Sequence, residues 1–515
     1  MKKLFFYLSA IAAVFAFGYS CSKNVEYRTQ NAPALQPSKN DENAGNWKPV
    51  LLTAPDEFAV PAPGATGTPD YIAQINEMKS WQQNMSKADQ QSVKYWSAGA
   101  VLRWNEILRE LVAKFNLPPY QNPDGTYPVP NAANPLAYPY FPFANPPYAA
   151  RAYAYVSAAQ YDALIAAFHY KKLYNRKAPY AVDSSVKTLV PRSDLSSYPS
   201  EDAVVAGAAS EMMKLLFPGS QDYINKKMEE HVHARMMAGV NVRSDIDAGL
   251  ALGRAVAQKF IARGRTDRAG AAGGNAAMWK QLEDDCIARG ETPWYSLETP
   301  KRPPMLPAFG KVKSLLLDSM TLISLRPGPP PSTNSELMGK EIKEIYDIVT
   351  KPTREQIAIV HHWADGVGTS TPPGHWNEIA AEDWIKEKYS EPRWARNMAL
   401  LNIAMMDAAI VCWDTKYFYF NPRPSQMDKN IKTATGVPNF PAYISGHSTF
   451  SGAAATILGH ILPSRANAYD AMATEASLSR MYGGIHYRSD CEKGLEVGIN
   501  IGAKAVDRAK IDGAE

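Results

Sequence analysis

Four short stretches in the last fifth of the chain concentrate its chemistry: Lys416 with Arg423-Pro424, Ser445-Gly446-His447, Ser479-Arg480, and His486 with Asp490. One lysine and two arginines can neutralise a multiply charged oxyanion, and guanidinium forks add planar bidentate contacts. Ser445 can donate a hydroxyl, and Gly446 lets a ligand approach its backbone amide because no side chain intervenes. An Ala-rich run follows this triplet, which predicts that these donors stand at a helix N-terminus, where orphan N–H groups and the helix dipole favour an anion. The set suits a phosphate-shaped ion.

Two histidines are more than anion binding needs. One can attack or ligate the central atom through a ring nitrogen, while the other exchanges a proton with an apical oxygen. Asp490 follows His486 by four residues, so on a helix it can hydrogen-bond the imidazole and fix its tautomer. Each piece also has a plainer reading: Asp490 as a helix N-cap, Arg480 in a surface ion pair, His447 as a capping or core histidine. The ordered set is what makes a site.

The elements that must hold these residues read as helices. Gln91 to Phe115, Arg151 to Tyr174, Glu201 to Phe217, Asp245 to Arg263, Arg393 to Phe420, Ser448 to Leu462 and Asp490 to Ala509 are rich in Ala, Leu and Met, with apolar positions three and four apart. Strand patterns are scarce, so the expected class is all-α. Pro-rich joints at Leu117 to Pro147 and Thr299 to Thr333 separate the helical blocks.

The chain also repeats itself at a constant offset of 245 residues. Tyr198-Pro-Ser200 with Gly207 lies over Tyr443-Ile-Ser445 with Gly452. Arg235, Gly239, Asp245, Gly249 and Gly253 lie over Arg480, Gly484, Asp490, Gly494 and Gly498, and Asp162 and Lys171 lie over Asp407 and Lys416. This argues for two related helical bundles packed as a pseudo-symmetric pair. In the first copy Ala178, Glu201, Asp202 and Asn241 stand where the second has Arg423, Gly446, His447 and His486. Only the C-terminal half is therefore expected to be active.

At 515 residues, with 45% hydrophobic and 21% charged, the composition is that of a globular protein. A net charge of +4 without a basic cluster argues against a nucleic-acid partner. Lys2-Lys3, an apolar run to Phe17 and Gly18-Tyr19-Ser20-Cys21 predict a signal peptide over 1–20 and a lipidated Cys21, hence export and a lipid anchor on a bacterial membrane. Residues 21–69 then read as the lipidated cysteine and a flexible tether, 70–300 as the N-terminal bundle with the degenerate copy, 301–334 as a Pro-rich connector, and 335–515 as the C-terminal bundle with the site. Cys286, Cys412 and Cys491 are expected as buried free thiols. His231, His233, His361, His362 and His375 lack carboxylates at ligand spacing, which favours exposed or loop roles. His169 and His460 lie within helices.

The order Lys, Arg-Pro, Ser-Gly-His, Ser-Arg, His and Asp resembles the signature of the type 2 phosphatidic acid phosphatase and vanadium haloperoxidase superfamily, with Ile444 where that family usually has Pro. Phe440-Pro-Ala-Tyr443, Trp413, and His362-Trp-Ala-Asp365-Gly366 through Thr371-Pro-Pro-Gly-His375-Trp376 resemble the haloperoxidase branch, whose fold is two four-helix bundles related by a pseudo-dyad. The resemblance implies that Lys416, Arg423, Ser445, Gly446 and Arg480 hold vanadate oxygens, that His486 binds vanadium, and that His447 is the acid-base group with Asp365 as its partner. Phe440 and Trp413 would wall the substrate side. The implied reaction is halide oxidation by hydrogen peroxide. The alternative is hydrolysis of a phosphate ester through a phosphohistidine, with phosphate in the same place. A non-enzymatic surface lipoprotein would need a degenerate site.

Overall fold

The computed structural model describes residues 29–117, 145–299 and 301–515. The expected signal peptide and Cys21 lie outside these residues. Among them the regular structure is helical, without a strand.

The first half contains α1 (Pro69–Gln83), α2 (Lys87–Trp96), α3 (Ala100–Phe115), α4 (Pro146–Tyr174), α5 (Glu201–Leu216), α6 (Gln221–Met237), α7 (Arg243–Thr266) and α8 (Ala276–Ala288). The second contains α9 (Glu336–Thr350), α10 (Arg354–His362), α11 (Thr371–Trp384), α12 (Glu391–Tyr419), α13 (Gly446–Ile461), α14 (Ala466–Tyr482) and α15 (Arg488–Ala509). The offset of 245 recurs helix by helix, pairing α4 with α12, α5 with α13, α6 with α14 and α7 with α15. The Tyr198–Pro199 and Tyr443–Ile444 peptide bonds are both cis.

The long helices α4 and α12 are buried on nearly every side, as apolar composition all round a helix requires. Ser390 caps α12 by accepting from Arg393 N at 3.3 Å, and Pro392 lies in its first turn. The α12 segment is long and apolar enough to cross a membrane, and it is 94% buried inside the core. Ser157 on α4 and Asn402 on α12 are equivalents under the offset, and they touch: Asn402 Nδ2 donates to Ser157 Oγ at 3.0 Å. The pseudo-dyad therefore passes between these two helices. Residues 33–515 form one unit, so the two repeats share a core.

The repeated glycines are spacers. A Cβ at Gly498 on α15 would fall 2.3 Å from the Thr449 carbonyl oxygen on α13, and one at the equivalent Gly253 on α7 would fall 2.1 Å from that of Val204 on α5. Only a residue without a side chain permits helix backbones this close.

Two expectations are corrected. The helix expected from Gln91 to Phe115 is split into α2 and α3 at Gly99, whose φ of 120° suits glycine and interrupts the helical run. The stretch expected as a tether up to residue 69 is packed against the helices from residue 33 onward. Leu35 N donates to Ser97 O at 2.7 Å, Arg393 pairs with Asp41 at 2.7 Å, and Trp47 is buried. The amides of Val50, Leu51 and Leu52 all donate to the buried carboxylate of Asp162 at 2.6, 2.7 and 2.9 Å. These partners of the stretch lie 62 to 352 residues away in sequence, so its polar composition is a poor guide to its order.

The Pro-rich connector makes a matching strap. Gly310 lies against the backbone of Asp414, just as Gly45 lies against that of His169, and these two contacted residues are equivalents. Cys286, Cys412 and Cys491 are buried and unpaired.

Candidate active site

The residues singled out in the second half converge on the N-terminus of α13. Lys416 lies in the last turn of α12 and Arg423 in the loop that follows. Ser445 is the N-cap of α13, with Gly446 and His447 its first two residues. Arg480 lies in the last turn of α14, His486 in the loop before α15, and Asp490 in the first turn of α15. Ser445 N donates to the Asp490 carbonyl at 2.9 Å, which locks the anion-binding turn to the start of α15. Lys416, Arg423 and Ser445 are fully buried, and Arg480 and His486 are 2% exposed.

The tautomer of His486 follows from its neighbours. Arg423 Nη1, which has only protons to offer, lies 2.9 Å from His486 Nε2, so Nε2 accepts. Nδ1 then carries the proton and donates to Asp490 Oδ2 at 2.8 Å. Tyr487 N donates to the same oxygen at 3.1 Å, so Asp490 both caps α15 and orients the imidazole. Burial pushes His486 well below the usual histidine range, and Arg423 and Lys416 add to the shift. A neutral imidazole with its lone pair turned toward the cations is what ligation or nucleophilic attack requires.

The three cations are not equivalent. Arg423 spends Nε and Nη2 on the Phe440 carbonyl and Nη1 on that of Ile485. Arg480 donates Nη1 to the Trp363 carbonyl at 2.9 Å, while its Nε is buried without a partner. Lys416 Nζ donates to the carbonyls of Pro441 at 2.9 Å, Ala442 at 2.8 Å and Ile444. These contacts anchor the 441–444 loop to the end of α12. The three rotatable donors of Lys416 meet three carbonyls there, and its charge remains in the site. Burial pushes Lys416 down, and Arg423 and Arg480 down to about 10. Neither Asp490 nor Asp365 pairs with these cations; both face histidines. Among the described residues no carboxylate lies at ion-pair distance from these three buried cations, and Asp490 and Asp365 attract them only from farther off; such burial is costly, and a multiply charged oxyanion relieves that cost. The unpartnered Arg480 Nε and the α13 N-terminus are suited to hold one.

His447 is held well below the usual histidine range by burial, then by Arg480. Its Nε2 is buried without a hydrogen-bond partner and lies 3.7 Å from Asp365 Oδ2. Asp365 is therefore at ion-pair distance, and its nearer partner is His375, whose Nδ1 lies 3.1 Å from Asp365 Oδ1. His375 was expected in an exposed or loop role; it stands in α11, partly buried, and stacks on Trp363 with ring centroids 4.6 Å apart. The signal was its place in the Thr371 to Trp376 segment rather than any ligand spacing. Trp413 and Phe440 pack with ring centroids 4.9 Å apart, and Lys416 Nζ and Arg423 Cζ each lie 5.1 Å from the Phe440 ring. Trp413 Nε1 is fixed by the Met305 carbonyl of the connector at 3.1 Å.

The equivalent place in the first half is neutralised from within. Lys171 pairs with Glu201 at 2.6 Å, and Asp202 pairs with Arg235 at 3.0 Å and with His231 at 3.2 Å. Arg176 takes Asp245, and Asn241 bonds to Ser200 and Ser197. His231, expected in an exposed or loop role, lies within α6, fully buried and stacked on Trp96. Trp104 Nε1 donates to its Nδ1 at 3.2 Å, leaving Nε2–H for Asp202. Sequence spacing could not show this, because Trp96, Trp104 and Asp202 come from three other helices.

Residues 397–506 match the family model of the PAP2 superfamily. No curated protein matches the chain in sequence. Among solved structures, a bacterial vanadium-dependent iodoperoxidase shares 24% identity at a TM-score of 0.56, over 70% of this chain and 91% of that one. The apo form of a bacterial vanadium-dependent chloroperoxidase shares 12% identity at a TM-score of 0.49, over 71% and 94%. The all-helical fold with its internal repeat is thus similar to that of the iodoperoxidase structure, and the PAP2 superfamily match covers residues 397–506, the stretch that carries most of the converging residues.

Proposed function

We propose that the protein is a vanadate-dependent haloperoxidase that oxidises halide with hydrogen peroxide. The observation that carries this reading is His486: neutral, oriented by Asp490 at 2.8 Å, with Nε2 turned into three buried cations that lack carboxylate partners. Two further features favour halide chemistry over ester hydrolysis. The likeness to the iodoperoxidase extends over 70% of the chain, well beyond the family match at 397–506. The Trp413 and Phe440 rings form an apolar wall beside the cations.

Vanadate, when bound, supplies the metal-oxo chemistry that activates peroxide. Arg423, Arg480, the Ser445 hydroxyl and the Gly446 amide would hold its oxygens, and His486 Nε2 would be its protein ligand. Lys416 adds charge through the loop it anchors. His447 would exchange a proton with an oxygen of the bound anion, and anion charge beside Arg480 would raise its basicity toward that task. Phe440 and Trp413 keep water from one side.

The family match also supports a phosphatase reading with the same residues, in which His486 attacks phosphorus and His447 protonates the leaving oxygen. Halide oxidation measured after vanadate loading, beside phosphate-ester hydrolysis by vanadate-free protein, separates the two. Peroxide-dependent halogenation supports the proposal; ester turnover without halogenation overturns it.

A further inference from the structure

His375 is not used by the chemistry above, yet it is tied to it at three points. Its Nδ1 lies 3.1 and 3.3 Å from the two oxygens of Asp365. The same carboxylate faces His447 Nε2 at 3.7 Å. Its ring stacks on Trp363, whose carbonyl receives Arg480 and whose Nε1 donates to Glu475 at 2.8 Å. One carboxylate thus stands between two imidazoles, both carried on helix N-terminal turns.

We propose that His375 is a positioning residue: it holds Asp365 through Nδ1 and competes with His447 for that carboxylate, and so governs how firmly a proton is held on His447. The proposal rests on reading His447 as the proton-exchanging group. When His375 donates to Asp365, part of the negative charge facing His447 is taken up, because a carboxylate paired with one cation or donor stabilises a second less well. Without that donor, Asp365 acts on His447 alone.

The charged and titratable groups around this pair come from several elements. His362 at the end of α10 has its ring 5.1 Å from that of His375. Asp365 comes from the α10–α11 loop, His447 from α13, and Arg480 and Lys416 act on His447 from α14 and α12. Glu378, one turn along α11, is engaged by Arg109 at 3.3 Å.

Two substitutions separate hydrogen bonding from packing. His375→Phe keeps a ring to stack on Trp363 and removes the donor. His375→Asn keeps a short-chain donor near the Nδ1 position. The first readout is the titration of His447 by NMR in histidine-labelled protein without vanadate or substrate, assigned with His447→Gln. The His447 midpoint should rise by about one pH unit in His375→Phe and by less in His375→Asn. An unchanged or lowered midpoint in a folded variant overturns the proposal. Should His375→Phe fail to fold, His375→Leu, which also lacks the donor, takes its place, and an unchanged or lowered His447 midpoint in that variant overturns the proposal. The second readout is the pH profile of kcat for halide oxidation, whose limb should move in the same direction. Absence of halide oxidation in the unmodified protein would defeat the haloperoxidase reading and leave the titration still decisive for His375.

Discussion

Three cations of the same sign divide three tasks. Arg480 offers a buried, unpartnered Nε, whereas Lys416 saturates itself on loop carbonyls. Removing each should therefore fail differently. Arg480→Ala is expected to weaken phosphate or vanadate binding by about 10- to 100-fold, the worth of a charged hydrogen bond, with a smaller fall in the anion-free melting temperature than Lys416→Met, because one carbonyl, that of Trp363, loses its donor. Lys416→Met should lower that temperature more, because three buried carbonyls lose their donor, and should reduce anion affinity less than Arg480→Ala. Calorimetric titration with phosphate and thermal unfolding of both variants check this contrast. The residue types were legible in the sequence because a Lys, two Arg and two His around Ser-Gly admit few chemical uses. Their division of labour was not, since it depends on which carbonyls the 441–444 loop presents.

At the level of elements, the site depends on how closely α13 approaches α15. Gly498→Ala would place a methyl against the Thr449 carbonyl and push the helices apart, at a cost of about 1–3 kcal/mol. It should also weaken anion binding, because Ser445 and Asp490 ride on those helices. Gly253→Ala, at the equivalent crossing in the first half, should cost similar stability and leave anion affinity unchanged. Denaturant unfolding and phosphate titration of the two variants test this pairing. A second element-level prediction concerns Asp407, the equivalent of Asp162. Asp162 collects three amides of the strap, whereas Asp407 Oδ1 has no partner and burial pushes its carboxyl up to about 7. The folded state keeps a proton that the unfolded chain releases near pH ~4, so this group lowers stability as pH rises from about 4 to about 7. Asp407→Asn should raise the melting temperature by about 2–4 °C at pH 8 and change it little at pH 4.5. The repeated glycines and aspartates were visible in the sequence at the offset of 245. The straps were not, because Gly45 and Gly310 are 265 residues apart and fall out of that register.

For the whole molecule, duplication yields one cradle whose cations meet carbonyls and one whose cations are bound by the carboxylates of Glu201, Asp202 and Asp245. Phosphate or vanadate should therefore bind once per chain and raise the melting temperature through linkage, by about 2.7 kcal/mol of stability at a hundred times Kd. His486→Asn should remove most of the vanadate-induced shift, while Asn241→Ala should leave it intact. Two binding events per chain, or equal losses in the two variants, would contradict a single competent half.

Composition, helical periodicity and the internal offset by themselves determined an all-helical duplicated chain, and the ordered Lys, Arg, Ser-Gly-His, Arg, His and Asp pointed to a site for an oxyanion. These are properties of residue type and spacing, which local physics reads directly. Tertiary structure alone decided that Lys416 anchors a loop, that Asp365 lies between His375 and His447, that His231 is a core histidine, and that the stretch from residue 33 is a packed strap. Each of these outcomes depends on partners brought together from distant helices, and no single stretch of sequence contains both sides of such a contact.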